Sequence, residues 1–492
     1  MVATESCDVC IVGAGLTGIK ALFVASRYLR PDQKVILLDR RARTGGMWVD
    51  TYPYVRLHQP HPMFTAGNIK WTLDRDPGYL ATKDEVLDHF EHCLEVIRQR
   101  VRVEERFGWS LLSDTAGTPG RVRITCLSDT GEDRVIETTR LIKAYGFGIN
   151  PNEPLTVSSS GVRSVSPDHC DMRSGEIADS AAPVWIIGSG KTALDTAHTL
   201  ITRYPGREVN LVAGSGTYFT SRDRFFPSGA RRWWGGTLIS GVGAEFGRRF
   251  DGSNEAEVAQ WYRRTHGTCP TPQARNFMLG VLSEAECRTV AAGINEVVMD
   301  HLVDVVDRDG AVDMVLRNGG TRPIQPGSWL VNCTGYLAAE ELPYEPYTSA
   351  DGSVLSINTR SATMHLTSYA GYFMTHLMFQ DKLNSAALYE LDLYELQKRC
   401  KPALAFAMFT LVQHNLSVIA DELPAKVFSE CGLDFDRWYP WHRRTAAGLK
   451  FMRTHRAQRE RLRHSLDTLQ KRLGIRCGPL ESEVRASEVA AG

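Results

Sequence analysis

The chain has 492 residues, and its 57 lysines and arginines equal its 57 aspartates and glutamates, so the formal net charge is zero. This balance argues against a general affinity for nucleic acid or for an anionic membrane. The nearest approach to a membrane-spanning run, residues 403–412, is shorter than the roughly 18 apolar residues required. The N-terminus lacks the features of a secretion signal, so we expect a cytoplasmic protein.

The 11 cysteines are scattered along the chain. Cys7 and Cys10 have C-x-x-C spacing, but they lie inside a predicted strand, where buried thiols are favoured over a redox pair or half of a zinc site. No second C-x-x-C completes such a site. We therefore expect no metal.

Residues 7–18, CDVCIVGAGLTG, have the pattern of a buried strand, a glycine-rich turn and the start of a helix. Gly13, Gly15 and Gly18 fit the G-x-G-x-x-G dinucleotide-binding fingerprint. Gly13 would permit the tight turn, Gly15 would let the backbone approach a pyrophosphate, and Gly18 would let the helix pack closely on the strand. The segment predicts a dinucleotide site at the positive end of the helix.

A second apolar strand, residues 35–38, strengthens this prediction. It ends in Asp39, which is placed to bond a ribose hydroxyl. Arg40 follows directly and is included in the same predicted site.

Residues 82–97 carry the signals of an amphipathic helix. Thr82 and Glu85 have the spacing of a capping box. The buried face is supplied by apolar residues at helical spacing: Val86, Leu87, Phe90, Leu94 and Ile97.

Residues 183–193, PVWIIGSGKTA, form a second strand–turn–helix unit of the G-x-G-x-x-A type. A phosphate-binding Walker loop is excluded, because its required earlier glycine would fall at Trp185. Two dinucleotide sites imply two cofactors, one held as a redox centre and one delivering hydride. The predicted contacts in the second site are Gly188, Gly190, Lys191 and Thr192.

The strand that follows, residues 208–212, ends without an acidic residue to bond a free ribose 2′-hydroxyl, which argues mildly against NADH. Arg222 and Arg224 come next, and they either meet a 2′-phosphate or are solvated surface charges. We favour NADPH, with Arg222 as the contact.

Residues 45–58, GGMWVDTYPYVRLH, contain a GG-x-W segment followed by YP-x-x-R. Shortly after a dinucleotide-binding unit, this combination resembles the class B flavoprotein monooxygenases, which include flavin-containing, Baeyer–Villiger and N-hydroxylating enzymes. The resemblance is good over residues 5–110, and the order of motifs supports it to about residue 380. It implies FAD in the first unit and NADPH in the second, with one oxygen atom passing from a flavin C4a-hydroperoxide to a nucleophilic nitrogen or sulfur.

The resemblance also assigns site residues. Gly46 and Met47 would pass close to the flavin, Trp48 would supply an apolar wall, and Arg56 would place a fixed positive charge beside an electron-rich ring. Without the flanking glycine motif, we would favour a core aromatic for Trp48 and a surface salt bridge for Arg56.

His58 departs from the family pattern, because Baeyer–Villiger enzymes typically have aspartate two residues after the motif arginine. His58 and Gln59 can both donate hydrogen bonds to a flavin peroxide oxygen, and Asn68 is a second candidate amide. Each residue alone could equally be a polar turn former. The change makes a Baeyer–Villiger outcome less favoured than oxygenation at nitrogen or sulfur.

Later segments are less specific. Residues 329–336, WLVNCTGY, resemble the family segment where the chain returns to the flavin domain. Residues 224–300 exceed what a plain dinucleotide-binding half requires, and either a lid or a structural helical excursion fits. For the basic segment 443–472, binding to nucleic acid or to a membrane is one alternative, and an amphipathic helix with a solvated face, with a subunit contact as one use, is favoured.

The predicted fold is α/β, with two dinucleotide-binding Rossmann-like domains and a helical C-terminal extension. The expected divisions are 1–155 for the first part of the FAD domain, 156–330 for the NAD(P)H domain with a helical insertion at about 224–300, 331–385 for the FAD-domain return and 386–492 for the helical region.

The expected function is an FAD- and NADPH-dependent monooxygenase acting on a small substrate with O2. We expect no nucleic acid and no membrane as partners, and a homo-oligomer is compatible with the sequence. The alternatives are a flavin oxidoreductase that does not oxygenate and a flavin-bound redox sensor. A disulfide reductase would need a cysteine pair beside the flavin, and the segment after Gly46 has none.

Overall fold

The computed structural model describes residues 4–146, 149–271, 273–335, 342–358, 360–431 and 435–483. Tyr336, the last residue of the predicted return segment, lies outside these ranges.

Helices and strands alternate through the first part of the chain, as expected for α/β units. Up to the second glycine-rich turn they are β1 (Thr4–Val12), α1 (Leu16–Tyr28), β2 (Lys34–Asp39), α2 (Met47–Asp50), α3 (Lys83–Arg98), β3 (Arg102–Phe107), β4 (Trp109–Ala116), β5 (Val122–Ser128), β6 (Asp133–Ala144), β7 (Arg163–Val165), α4 (Gly175–Asp179) and β8 (Val184–Ile187).

From that turn to the end of the second sheet the elements are α5 (Lys191–Arg203), β9 (Val209–Val212), β10 (Thr217–Ser221), α6 (Arg222–Phe225), α7 (Ile239–Arg249), α8 (Glu255–His266), β11 (Gly267–Thr268), β12 (Asn276–Leu282), α9 (Glu284–Gly293), β13 (Glu296–Val298), β14 (Leu302–Arg308), β15 (Ala311–Leu316), β16 (Thr321–Ile324) and β17 (Trp329–Asn332).

The remainder is mostly helical. It comprises β18 (Thr348–Ser349), β19 (Val354–Ile357), β20 (Ser361–Ala362), α10 (Thr367–Phe379), β21 (Tyr389–Asp392), α11 (Leu393–Cys400), α12 (Leu404–Glu422), α13 (Ala425–Glu430), α14 (Trp441–Leu473), β22 (Cys477–Pro479) and β23 (Ser482–Glu483). Short 3-10 helices occupy His61–Met63, Gly229–Trp233, Lys401–Ala403 and Phe435–Trp438.

The first sheet is built around β1, which pairs in parallel with β2 on one side and β6 on the other. Its strand order is β23-β18-β19-β6-β1-β2-β3. In addition, β5 pairs with β6, and β4 pairs with β5. The late strand β19 pairs in parallel with β6. Strands covered on both faces are apolar along most of their length, as β1 and β2 are, and Cys7 and Cys10 are buried thiols as expected.

The second sheet has the order β13-β9-β8-β17-β7, and all its pairings are parallel. Each of these two sheets contains one strand that runs into a glycine-rich turn and a helix, β1 into α1 and β8 into α5. The predicted fold, two Rossmann-like units with a helical C-terminal part, is therefore confirmed.

The helices predicted as an insertion and those predicted as a C-terminal region share one hydrophobic core. Phe246 of α7 stacks on Phe409 of α12 with ring centroids 4.7 Å apart. The same core includes Tyr262 of α8, Phe406 of α12 and Leu466 of α14. Residues far apart in sequence thus form a single helical layer beside the two sheets.

The run Leu393–Glu422, which contains α11 and α12, is long and apolar enough to cross a membrane by length and composition. In the folded chain 78% of its most apolar window is buried inside the protein, as in a core helix.

Lys20 lies in the second turn of α1 and is completely buried. Its ammonium lies over the rings of Tyr369 and Tyr372, at 5.6 and 5.3 Å from their centroids. Within the described part of the chain it has no hydrogen-bond partner. Burial lowers the pKa of Lys20 to about 8.

Replacing Lys20 by methionine is expected to raise the free energy of unfolding near pH 7 by about 3 kcal/mol, the equivalent of lowering a lysine pKa from 10.5 to about 8. The folded chain releases this proton at a lower pH than the unfolded chain. Wild-type stability therefore rises between the two pKa values, and the advantage of the variant shrinks there. Calorimetry at about pH 7 and about pH 9.5 measures this difference.

Lys34→Met is the control, because the Lys34 ammonium pairs with Glu104 at 3.3 Å and its loss should not stabilise the fold. A Lys20→Met variant less stable than wild type near pH 7 would contradict the expectation.

Candidate functional site

The first glycine-rich turn is held by backbone contacts that leave no room for a side chain. Gly13 has φ of 110°, and a β-carbon on it would lie 2.3 Å from the carbonyl oxygen of Ala144. A β-carbon on Gly18 would lie 1.7 Å from the carbonyl oxygen of Gly13. These contacts agree with the tight turn and the close helix–strand packing predicted for the two glycines.

Gly15 lies against the paired glycines of the GG-x-W segment. A β-carbon on Gly15 would lie 3.2 Å from the Cα of Gly46, and one on Gly46 would lie 2.8 Å from the Cα of Gly15. The amide of Gly45 also donates to the carbonyl of Ala14 at 3.0 Å. The GG-x-W segment thus packs backbone to backbone on the turn. A side chain at Gly15 would meet the backbone of Gly46, and the approach of Gly15 to a pyrophosphate stays a prediction.

Asp39 is buried and accepts hydrogen bonds from two backbone amides, Ala14 at 2.6 Å and Arg41 at 2.8 Å. Its carboxylate therefore ties the end of β2 to the glycine turn. Two carboxylate oxygens have more acceptor capacity than two bonds use, so the ribose contact stays a prediction. Arg40 is exposed, whereas Arg41, which the sequence did not single out, donates to Asp50 at 2.6 Å.

Two helices begin side by side at this edge of the first sheet. The hydroxyls of Thr17 in α1 and Thr367 in α10 are 2.9 Å apart, and a β-carbon on Gly371 would lie 2.6 Å from the carbonyl oxygen of Thr17. Neither helix has a side-chain cap at its N-terminus. Adjacent helix N-termini present amide donors and positive dipole ends to an anion. Sequence reasoning missed this second helix, for which a glycine within an apolar helical run was the available signal.

These features fit the diphosphate and ring of a flavin dinucleotide. Thr44 Oγ1, next to the paired glycines, and His365 Nδ1, just before α10, are buried without a hydrogen-bond partner among the described residues. A polar group buried without a partner is costly, and a bound polar ligand would supply one.

The second glycine-rich turn repeats the construction of the first. Gly188 has φ of 122°, and a β-carbon on it would lie 2.6 Å from the carbonyl oxygen of Cys333. Buried Ala193 stands where the first turn has its third glycine. A β-carbon on Gly190 would meet no atom within 4 Å. The space above Gly190 is open, as a nucleotide site requires, and α5 also begins without a side-chain cap.

The side chains at the start of α5 are engaged with the first unit. Lys191 forms an ion pair with Asp195 one helical turn along, a spacing at which helical side chains meet. The Tyr52 hydroxyl donates to Asp195 at 2.8 Å and also lies beside Thr192. Lys191 is therefore held by the protein, and Asp195 and Tyr52 are site residues that sequence reasoning did not name.

The GG-x-W and YP-x-x-R segments join the two units. Trp48 packs against the cores of both, and its ring lies 5.8 Å from that of Phe64. The Tyr54 hydroxyl lies 2.7 Å from that of Thr196 in α5. Met47 is 36% exposed, so the flavin contact predicted for Met47 and Trp48 stays a prediction.

Arg222 contradicts the expectation of a guanidinium free to meet a 2′-phosphate. Its Nε donates to the carbonyl of His58 at 2.8 Å, and its Nη1 pairs with Glu286 at 2.8 Å. Only Nη2 is left without a partner in the described ranges. Arg224 is turned the other way and donates to the carbonyl of Thr265. Both arginines serve protein contacts that depend on tertiary neighbours, which the sequence pattern did not reveal.

His58 lies at this interface, within the electrostatic reach of Lys191 and Arg222. Burial, and then these two positive charges, lower the pKa of His58 to about 4. The imidazole is therefore neutral near pH 7 and can donate one hydrogen bond. Gln59 follows it and is half-buried. His58 therefore lies near the second glycine-rich turn, and its contact with a flavin stays a prediction.

Arg56 was predicted to lie beside the flavin, but its side chain points to an exterior cleft. It is exposed and lies over the ring of Tyr79 at 5.9 Å. The cleft, of about 440 Å³, is lined by Arg56, Leu80, Arg173, His198, Thr199, Thr202, Arg203 and Glu286. The lining residues from α5 lie in its second half, away from the glycine turn. Arg56 itself forms a β-bridge with Thr82, and its place beside a flavin stays a prediction.

Asn68 is also separated from the other candidates. It is exposed, and its side-chain oxygen accepts from Arg27 at 3.5 Å in the last turn of α1. The glycine turn lies at the other end of α1, roughly 18 Å away at 1.5 Å per helical residue. The loop that carries Asn68 lies at the far end of α1, and its role as an alternative donor to the oxygen species stays a prediction.

The chain is 31% identical over 226 residues to "Putative FAD-containing monooxygenase MymA" of Mycobacterium tuberculosis, covering 44% of this chain and 43% of that protein. It is 27% identical over 227 residues to "FAD-containing monooxygenase EthA" of Mycolicibacterium smegmatis, with coverage of 44% and 43%. The chain thus matches less than half the length of these two relatives. "Uncharacterized protein Rv2000" of Mycobacterium tuberculosis is 24% identical over 368 residues, 71% of this chain and 63% of that protein.

No family model matches the chain. Among solved structures, "Open crystal structure of cyclohexanone monooxygenase" covers 78% of this chain and 88% of that chain, at 14% identity and a TM-score of 0.48. A flavin-containing monooxygenase from Stenotrophomonas maltophilia covers 77% and 98%, at 15% identity and a TM-score of 0.47. Because both TM-scores are below 0.5, we draw no functional conclusion from these two structures. The sequence relatives confirm the predicted resemblance to class B flavoprotein monooxygenases, because the chain is similar to FAD-containing monooxygenases.

Arg222→Met is expected to lower the free energy of unfolding near pH 7 by about 2 kcal/mol, because Glu286 loses its closest cation. Burial alone would raise the pKa of Glu286, but the charges of Arg222 and Lys191 and a bond from Ser283 lower it to about 2. The stability from this carboxylate is present above its ordinary pKa of 4.5 and is lost as the pH falls towards 2. Urea unfolding at about pH 7 and about pH 3.5 should show a smaller acid loss in the variant.

Arg224→Met is the matched control on the same short helix, since an exposed arginine should change stability by less than about 0.5 kcal/mol. Equal effects of the two substitutions would show that the pair with Glu286 does not hold the interface.

Proposed function

We propose that the chain is an FAD- and NADPH-dependent monooxygenase that acts on a small nucleophilic substrate, oxygenating it at nitrogen or sulfur. The observation that carries the proposal is the matched construction of the two glycine turns, each with a left-handed first glycine packed on a strand-end carbonyl. The similarity to FAD-containing monooxygenases supports FAD for one of them. NADPH oxidation would supply two electrons, and one atom of O2 would enter the substrate while the other leaves as water.

In this proposal the first unit holds FAD, which when bound supplies the activation of dioxygen. The N-termini of α1 and α10 would hold its diphosphate, and Asp39 its ribose. Thr44 and His365 would satisfy its polar groups. The close contact between Gly15 and Gly46 would fix the backbone surface against which the flavin ring packs.

The second unit would hold NADPH at residues 188–192, over the open face of Gly190. His58 would offer a neutral donor between the two turns, since its low pKa keeps it uncharged near neutral pH. A neutral donor can hold a polar oxygen species in place without transferring a charge to it. The passage of oxygen through a flavin C4a-hydroperoxide stays a prediction, as does a role for Gln59.

The preference for NADPH over NADH rests on the missing acid after β9 and on the remaining Arg222 Nη2 donor. O2 and a small molecule are the proposed reactants. Because Arg222 and Arg224 both bond to protein groups, the test compares NADPH with NADH.

The test is the flavin spectrum of the purified protein, followed by NADPH and NADH oxidation with amines, thioethers and ketones under ¹⁸O₂. We expect bound or reconstitutable FAD and one labelled oxygen in an amine or thioether product. Substrate-independent NADPH oxidation without labelled product would favour a non-oxygenating oxidoreductase. Bound flavin with no turnover would favour a redox sensor, and a protein that cannot be reconstituted with FAD would overturn the proposal.

Gly190→Ala tests the second turn without disturbing the fold, because its β-carbon has open space and its φ is −74°. A methyl group there would occupy the path of the diphosphate, so KM for NADPH should rise at least about tenfold with FAD content unchanged. Gly241→Ala, in α7, is the control because its β-carbon also meets no atom within 4 Å. An unchanged KM in Gly190→Ala would place the nucleotide elsewhere.

A further inference from the structure

A group of large apolar side chains is exposed where the loop before α7 meets the start of α14. Trp234 is 75% exposed and Trp441 is 74% exposed. Their exposed neighbours are Trp233, Leu449 and Met452. We call these five residues the tryptophan patch. Single exposed apolar residues are ordinary, but a contiguous group of them marks an interaction surface.

Direct contacts hold the loop that carries Trp233 and Trp234 against the start of α14. The ring of Trp233 stacks on His442 with centroids 5.7 Å apart, and His442 meets Trp441 at 6.1 Å. Arg443 Nη1 donates to the carbonyl of Arg232 at 3.1 Å and also to that of Gly235. These contacts hold the loop and the helix together while leaving the indole rings facing solvent.

On α14, Trp441, Leu449 and Met452 lie on one side. At roughly 100° per residue, their directions fall within about 80° of each other. These three apolar side chains are spread over about three turns on one side of the helix, with exposed Thr445 and Gly448 between them. Trp233 and Trp234 lie on the neighbouring loop.

The chain segments that carry the patch are rich in basic residues. Residues 224–244 and 437–459 include no aspartate or glutamate. Arg231, Lys450 and Arg453 are exposed and have no ion-pair partner in the part of the chain that the structure describes. Arg456 and Arg459 at the far end pair with Asp421. A chain with zero net charge thus carries a local cationic surface around its most exposed tryptophans.

We propose that the tryptophan patch docks on the surface of an anionic lipid bilayer. Tryptophan has an apolar body and a hydrogen-bonding N–H, which suits the boundary between headgroups and acyl chains. Lysine and arginine around it would meet the negative headgroups, and a helix with one apolar and one basic side lies in the plane of such a surface. This attachment is peripheral and independent of the buried run Leu393–Glu422.

A second copy of the chain suits the patch less well. A two-fold contact would place the patch against itself, so the exposed cations would face like charges. The inference departs from the expectation of no membrane partner. That expectation rested on the zero net charge, on the lack of a long apolar run and on a solvated face for the basic segment 443–472. It did not use the exposed tryptophans beside that segment.

The test is flotation of the full-length protein with vesicles of pure phosphatidylcholine and with vesicles containing about one-third phosphatidylglycerol, at low and high salt. We expect binding to the anionic vesicles only, weakened by salt, with a blue shift of tryptophan fluorescence. The double variant Trp234→Ser/Trp441→Ser should reduce the bound fraction at least about fivefold, and Lys450→Glu/Arg453→Glu should reduce it similarly. Val303→Ser is the control, since Val303 is 63% exposed on the distant strand β14.

Circular dichroism and FAD content verify that each variant is folded. Binding that ignores lipid charge, or that survives both double variants, would overturn the proposal. A concentration-dependent dimer in wild type that the tryptophan double variant abolishes, without vesicle binding, would assign the patch to a second copy. Retention of wild type on a single-stranded oligonucleotide without vesicle binding would assign it to nucleic acid.

Discussion

The structure depends on one kind of contact, in which the backbone of a glycine is pressed against the carbonyl at the end of a neighbouring strand. At Gly13 the neighbour is Ala144, and at Gly188 it is Cys333. Both glycines have a left-handed φ that other residues rarely adopt. Because each contact closes a strand–turn–helix unit at the carboxyl edge of its sheet, it determines where α1 and α5 begin. The uncapped helix ends, and with them both proposed nucleotide sites, follow from it.

The second constraint is the polar interface between the two units. Tyr52, Tyr54 and the carbonyl of His58 come from the first unit and meet Asp195, Thr196 and Arg222 of the second. Charges held away from water need paired partners, and Arg222 with Glu286 is such a pair. The two proposed cofactor sites are thus connected by a network that leaves His58 neutral at its centre. A neutral imidazole at this position can donate one hydrogen bond.

Several local features were predictable because their causes lie within a few residues. The Thr82–Glu85 capping box is present, with all five expected apolar residues of α3 buried. Both glycine fingerprints form the predicted turns, since a strand, a turn and a helix are specified by adjacent residues. The contact of Gly15 with Gly46 was not predictable in this way, because Gly46 lies far along the chain.

The sequence by itself determined the class of fold, the two glycine turns and the resemblance to flavoprotein monooxygenases, because these depend on local spacing and composition. Only the tertiary structure decided where single polar side chains point. Arg56 and Asn68 turned outward and Arg222 was taken up by Glu286, since a long or loop-borne side chain chooses among partners that the fold brings from elsewhere. The joining of α7 and α8 with α12 and α14 into one core had the same cause. Apolar faces show that a helix is buried, but not which distant helix will cover it.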